Sequence, residues 1–266
     1  VQAAHPTVPA YWPDSSKPTN PGYDGRWGNP LAISERDYSG YSDTDFSSVR
    51  GTFSVNLNFN KWVKGLSADG KFDYRLNNNF VKTFNKSFDY HDYNYDTEEY
   101  TVIGTFNGGK NSLREEYAKD WLWYSMFKLN YDRIFAKKHH ITGLALVEAQ
   151  ANKNDNFFAY REGFISTEVD EMFAGSDENK NNGGGASEGG RMSYVFKLGY
   201  SYDNRYLFDF VGRIDGSAKF YKDNRWGFFP GISAAWRISE EPFFKEKFTN
   251  VDNLKLRLSV GQTGDE

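Results

Sequence analysis

Cysteine is absent from the 266 residues. That excludes disulfide scaffolds, thiolate metal sites and thiol nucleophiles, and leaves the compartment open. No apolar run approaches ~18 residues, so no helix is expected to cross a membrane. A membrane barrel stays possible, because its strands alternate and average to a polar composition. Basic excess is missing too: Lys+Arg number 32 against Asp+Glu 36, a formal net charge of −4. Nucleic acid is therefore not expected as the main partner, since phosphate-binding domains are usually strongly basic. The chain starts Val1-Gln2-Ala3-Ala4, with neither a basic n-region nor an apolar h-region, so no signal peptide is read there.

Aromatic residues are abundant, with Phe 23, Tyr 18 and Trp 7 making 18% of the chain. Such residues suit strands, membrane interfaces and sugar-binding surfaces. Residues 1–46 show no period; Pro6, Pro9, Pro13, Pro18, Pro21 and Pro30 with many Gly, Asn and Ser predict an extended Pro/Gly-rich loop segment. From 47 to 266 the pattern changes. Phe53, Val55, Leu57 and Phe59 alternate with Thr52, Ser54, Asn56 and Asn58, and residues 66–76 repeat the alternation. Further strands are predicted at 121–135, 141–150, 192–202, 206–214, 228–238 and 254–260, eight in all.

The linkers separate into two kinds. Residues 60–65, 136–140 and 203–205 are short; 77–112 and 152–188 are long; 216–224 and 239–252 are intermediate. Trimmed turns at one end of a sheet and elaborated loops at the other are the habit of an outer-membrane barrel. Each strand offers about 9–11 alternating residues, enough for a tilted crossing of the hydrocarbon core. The polar face carries Lys197, Asp209, Arg213, Arg237, Lys255 and Arg257, suited to a hydrated lumen, while the aromatic face suits lipid. Periodicity alone also fits a soluble antiparallel sheet with one wet face.

The run Arg213-Ile214-Asp215-Gly216-Ser217, then Phe220, then Asn224-Arg225-Trp226-Gly227-Phe228-Phe229-Pro230, tips this balance. It continues as residues 232–241, with Trp236 and Glu240-Glu241, then Asn253-Leu254-Lys255-Leu256-Arg257 and Gly261-Gln262-Thr263-Gly264. This block resembles the SusC/RagA-type TonB-dependent transporters of Bacteroidetes outer membranes. Looser stretches at 29–31, 63–66, 129–133 and 172–176 are similar too; Ala218 and Ala235 stand where the pattern has Ser and Gly. The resemblance implies an all-β, antiparallel, up-and-down transmembrane β-barrel segment of about eight strands with long extracellular loops. It implies a partial chain, the middle of a larger barrel without the plug domain. It further implies import of glycans, oligosaccharides or peptides, with outer-membrane lipid around the barrel, a SusD-like surface lipoprotein as partner and TonB acting through segments absent here. In the motif, Asp215, Gly216, Ser217, Arg225, Trp226, Gly227, Pro230 and Trp236 are expected to be structural. Gly216 and Gly227 are expected to free the backbone for a turn or bulge, and Trp226 to anchor at the interface.

Chemical motifs are thin. Asp92-Tyr93-Asn94-Tyr95-Asp96 opens like a calcium loop, yet Thr97 and Ile103 stand where Gly and Glu are required. Gly183–Gly190 has no following Lys-Ser/Thr or helix, so it reads as a flexible loop tip. His139 and His140 are adjacent and point to opposite faces of a strand. The sequential carboxylates Glu98-Glu99, Glu115-Glu116 and Glu240-Glu241 split in the same way. Pro242 is expected to terminate a strand. No catalytic residue, metal ligand or cofactor site is assigned, and the expectation is a non-enzyme. Loop aromatics Tyr90, Tyr93 and Tyr95, with Tyr100, are the candidates for ligand contact, because binding residues favour loops. Two other readings stand beside this one: a soluble secreted β-sheet protein binding carbohydrate, and a TonB-dependent siderophore receptor.

Overall fold

Alternating side chains rich in aromatic and β-branched residues make strands over most of the computed structural model, which describes residues 9–19 and 29–264. In chain order they are β1 (Gly40–Asn58), β2 (Leu66–Asn85), β3 (Asp89–Asn94), β4 (Glu99–Thr105) and β5 (Ser112–Phe135). Then come β6 (His139–Glu162), β7 (Asn181–Tyr202), β8 (Tyr206–Ser217), β9 (Trp226–Arg237) and β10 (Lys255–Gly261). Three short helices are α1 (Pro30–Ser34), α2 (Arg36–Ser39) and α3 (Pro242–Lys247). Eight strands form one sheet in the order β1-β2-β5-β6-β7-β8-β9-β10, and β3 pairs with β4 as a separate hairpin. Each strand of the large sheet lies beside its predecessor, the up-and-down arrangement expected. No helix among the described residues is long and apolar enough to cross a membrane.

Several expectations need correction. The strands outrun their alternating portions: β2, β5 and β6 have 20, 24 and 24 residues. Backbone ladders continue where side-chain alternation stops, because the hydrogen bonds do not depend on it. The long connections accordingly shrink to 86–111, which contains the β3–β4 hairpin, and 163–180. Gly183–Gly190 is part of β7, not a loop tip. A Cβ on Gly184 would stand 2.4 Å from the Asn156 carbonyl oxygen, so close backbone approach is what glycine supplies there. Of residues 1–46, 1–8 and 20–28 lie outside the described residues; the remainder includes α1, α2 and the start of β1 rather than uniform extended loop. Pro242 opens α3 at its first turn, where its missing N–H and fixed φ cost nothing.

The chain divides into two compact units. One comprises Ser48–Leu76, Asp120–Asn154 and the chain from Ser187 onward. Its strands are joined by tight turns: Ala136 and Lys137 have φ of 46° and 60°, and Asp203 and Asn204 have 50° and 58°. Successive left-handed residues match the twist of a two-residue hairpin. At the 59–65 turn, Asn60 Oδ1 accepts from Gly65 N at 2.6 Å. Gly65 has φ 86°, and a Cβ there would fall 2.1 Å from the Asp132 carbonyl oxygen. Between β9 and β10, Glu241 is buried and accepts from Tyr206 Oη at 2.6 Å, Arg205 Nη1 at 3.0 Å and Trp236 Nε1 at 3.1 Å.

The other unit takes Asn77–Lys119, Asp155–Ala186 and residues up to 47. It has its own core of Phe84, Leu113 and Phe164, packed by Tyr41, Met172 and Ala174. Phe84 and Phe164 meet edge to face at 5.2 Å. Asn29 caps α1, accepting from Leu31 N and Ala32 N at 3.1 and 3.2 Å. Lys82 Nζ lies 3.4 Å from both Asp170 and Glu171, and Tyr41 Oη donates to Asp170. The Tyr41 hydroxyl and the Lys82 ammonium hold the Asp170 carboxyl below its ordinary range.

Candidate functional site

The registers of β7 to β10 sort their side chains onto two faces. Tyr194, Phe196, Leu198 and Tyr200 of β7 pair with Ile214, Gly212, Phe210 and Phe208 of β8. Those pair with Phe228, Pro230, Ile232 and Ala234 of β9, and the row continues to Leu258 and Val260 of β10. No charged residue falls on this face between Met192 and Val260. The face is uncovered: Phe208 is 54% exposed and Leu258 80%. Rings mark its two ends. Tyr194 lies 5.9 Å from Trp226 at one, and Tyr202 is stacked 6.5 Å from Tyr206 at the other. An open apolar face of this extent is anomalous in water and ordinary in lipid, where aromatic girdles flank an apolar band.

The opposite face is polar and cross-linked. Asp73 accepts from Thr52 Oγ1 at 2.6 Å and Arg50 Nη2 at 3.1 Å. Asp69 takes Lys128 Nζ at 3.0 Å and Asn130 Nδ2 at 2.8 Å. Arg213 Nε donates to both Asp215 oxygens at 2.6 and 2.7 Å, while its Nη2 reaches Ser193 Oγ at 3.2 Å and Glu148 at 3.4 Å. Glu148 also accepts from Tyr124 Oη at 2.9 Å. Charges held this way line a wet surface without leaving a buried charge unpaired.

The motif residues take up backbone and ring contacts. Gly216 and Gly227 lie within β8 and β9, not at a turn or bulge. A Cβ on Gly216 would stand 2.8 Å from the Trp226 ring, and one on Gly227 would stand 2.7 Å from Phe229. Gly216 seats the ring of its partner on the neighbouring strand, the cross-strand cover that compensates a missing side chain, and Gly227 seats the ring two residues further along its own strand. Ser217 is buried, its N–H donating to the Arg225 carbonyl at 3.1 Å, and Arg225 Nε donates to the Phe220 carbonyl at 2.9 Å. Pro230 accepts through its carbonyl from Gln262 N at 2.9 Å. Trp236 anchors to Glu241, whose carboxyl these donors, Tyr206 first and then Trp236, hold below its ordinary range.

The loop aromatics separate in the structure. Tyr90 is buried. Tyr93 lies between Tyr95 and Tyr100, with centroids at 4.9 and 4.8 Å, and 6.1 Å from Trp12. Tyr95 is 70% exposed. Trp12 Nε1 donates to the His91 carbonyl at 2.7 Å, a contact with no sequence signal. His139 and His140 go to different partners, Tyr200 Oη at 2.8 Å and Asp132 Oδ1 at 2.9 Å.

No family model matches the chain. Among curated proteins it is 29% identical over 273 residues to TonB-dependent receptor P26 of Formosa agariphila, covering 99% of this chain and 25% of that receptor. It is 53% identical over 76 residues to TonB-dependent receptor SusC of Bacteroides thetaiotaomicron, covering 28% of this chain and 7% of SusC. Among solved structures, the RagAB peptide importer in its closed-closed state superposes with a TM-score of 0.63 at 21% identity, over 84% of this chain and 23% of that one. The chain thus spans about a quarter of the length of P26. With its consecutive antiparallel strands, its bare apolar face and its charged reverse, the chain is a section of the barrel of a TonB-dependent receptor of the SusC/RagA type.

Proposed function

We propose that the full-length protein imports oligosaccharides or peptides across the outer membrane, with these residues forming part of the barrel wall. The observation that carries this reading is the division of charge between the two faces of β7–β10. One face is built for hydrocarbon; the other offers a hydrated surface with many weak polar contacts, as passage requires, because a tight single site would retain the ligand. The likeness in fold to the RagAB peptide importer supports a transporter rather than a catalyst. In this reading a SusD-like lipoprotein delivers the ligand at the cell surface, and TonB acts through segments outside this chain. Tyr95, with its exposed ring, is the loop aromatic offered to ligand, while Tyr90 and Tyr93 hold the hairpin.

Deleting the whole gene and following uptake of labelled oligosaccharides and peptides tests this. Loss of uptake of one class, restored by the intact gene, is the expected result, with a surface lipoprotein co-purifying with the receptor. Unchanged uptake of both classes would refute it. The exposed apolar face of β7–β10 speaks against the soluble carbohydrate-binding alternative, which would have to cover that face.

A further inference from the structure

Charge on the polar face is unevenly divided. On β1, β2 and β5 the bases meet carboxylates: Arg50 with Asp73 at 3.1 Å, Lys128 with Asp69 at 3.0 Å, Arg75 with Asp120 at 3.9 Å. Across β7–β10 the register sets six bases on that face, Arg191, Lys197, Arg213, Arg237, Lys255 and Arg257, against two acids, Asp209 and Asp215. This basic stretch belongs to a chain whose net charge is −4. Both acids are already engaged, Asp215 by Arg213 at 2.6 Å and Asp209 by Lys197 at 3.8 Å. Arg191, Arg225 and Arg257 make no ion pair among the described residues.

A cleft of about 900 Å³ opens on this wall, lined by Arg191, Arg213 and Arg225 with Asp215, Phe229 and Gln262. It exists because the same face of β9 and β10 carries Gly227, Gly231 and Gly261, where any larger residue would project into it. Phe229 is the one aromatic ring of β9 on this face. Its ring packs against Gly227 and Gly264, where added Cβ atoms would stand 2.7 and 2.2 Å from it. Guanidinium groups without a carboxylate partner, such as those of Arg191 and Arg225, beside an aromatic ring form a receptor for an anion attached to an apolar or ring-shaped body.

We propose that this wall is a binding site for carboxylate-bearing oligomers, with Arg191 and Arg225 gripping carboxylates and Phe229 supporting the apolar side of the same unit. The inference rests on the importer reading and narrows it: the ligand is acidic. Carboxylate is the anion that the two ligand classes share, as uronic acids in saccharides and as acidic side chains or the C-terminus in peptides. Spreading the remaining bases along β7, β9 and β10 lets such a ligand pass from one cation to the next instead of stopping at the first.

The test uses the full-length receptor purified in detergent and titrated calorimetrically with matched pairs. One pair is an oligogalacturonate and its methyl ester; the other is an oligoglutamate and the corresponding oligoglutamine. One acid is expected to bind about tenfold more tightly than its neutral twin, the worth of one charge-assisted hydrogen bond, and the preference should shrink as salt rises. Which acid gains identifies the source of the carboxylate. Arg191→Gln and Arg225→Gln should each reduce affinity for the acid and leave the neutral twin unchanged, while Arg191→Lys retains part of the preference. Equal binding of acid and neutral twins by the unmodified receptor overturns the inference. So does an acid preference that survives in the Arg191→Gln/Arg225→Gln protein. If a variant fails to assemble, the comparison within the unmodified receptor decides. Uptake of neutral oligomers in cells without preference for acids would sink this inference and leave the importer reading standing.

Discussion

Phe210 and Val211 are adjacent on β8 and point to opposite faces. Phe210 pairs with Leu198 and Ile232 on the apolar face, whereas Val211 pairs with Lys197 and Gly231 on the charged one. From Tyr206 at one aromatic end to Gly216 beside Trp226 at the other, β8 rises about 33 Å at ~3.3 Å per residue. Tilted by about 45°, it spans roughly 23 Å of depth, matching the apolar band of a membrane barrel. Phe210 then lies near the midplane, where an outward Arg costs about 2–4 kcal/mol, while an Arg facing water costs little. Part of the Phe210→Arg effect is loss of the Phe196 ring, 5.8 Å away, so Phe210→Ala supplies the baseline. The assay is folding of the full-length receptor from urea into lipid vesicles, followed by tryptophan fluorescence and gel mobility. Phe210→Arg should lie about 2–4 kcal/mol below Phe210→Ala, and Val211→Arg within about 1 kcal/mol of the unmodified protein. Equal penalties at 210 and 211, or a larger one at 211, would refute the assignment of faces.

Other predictions follow from particular contacts. Gly216→Val places methyl groups where the Trp226 ring lies, 2.8 Å from the Cβ position; a loss of about 1–3 kcal/mol and a shift in tryptophan emission should appear together. Leu113→Ala removes a fully buried side chain from the Phe84–Phe164 core and should cost about 2–5 kcal/mol, read as faster proteolysis within residues 77–119 and 155–186. The Glu241 carboxyl, held low by Tyr206 and Trp236, contributes stability above the ordinary glutamate value of 4.5 that is lost as pH falls through the lower folded value. Urea midpoints should therefore drop on acidification below that point, and Glu241→Gln should remove its share of the slope. Tyr95→Ala, altering an exposed ring, should leave the melting temperature unchanged; a drop would mean that the ring supports the hairpin.

Alternation was enough to read the eight strands of the large sheet and their order, because one lipid-suited face imposes a period of two. Where strands continue past the apolar band, as in Gly183–Gly190, composition read as loop, and only pairing with β6 makes those residues a strand. The β3–β4 hairpin has no local alternation to mark it, and its tyrosines pack on Trp12, some 80 residues earlier. Lys82 and Asp170 are likewise far apart in sequence and meet only in the fold. Glu241-Pro242 carries a helix signal, proline at the first helical position, which in sequence is indistinguishable from a strand ending. In the candidate site, Arg213 and Asp215 were legible as polar-face residues. The role of Phe229 was not, since its outward-facing neighbour Phe228 has the same side chain and only register separates them.

The sheet order has a consequence for how such a wall is assembled. Every strand of it bonds to the one made just before, and the turns at 136–137 and 203–204 are the tight kind that close without glycine. Contact order within the sheet is accordingly low for an all-β protein, and loop closure before each new ladder is inexpensive. Hairpins can zip one after another in chain order, each presenting a ready template edge to the next.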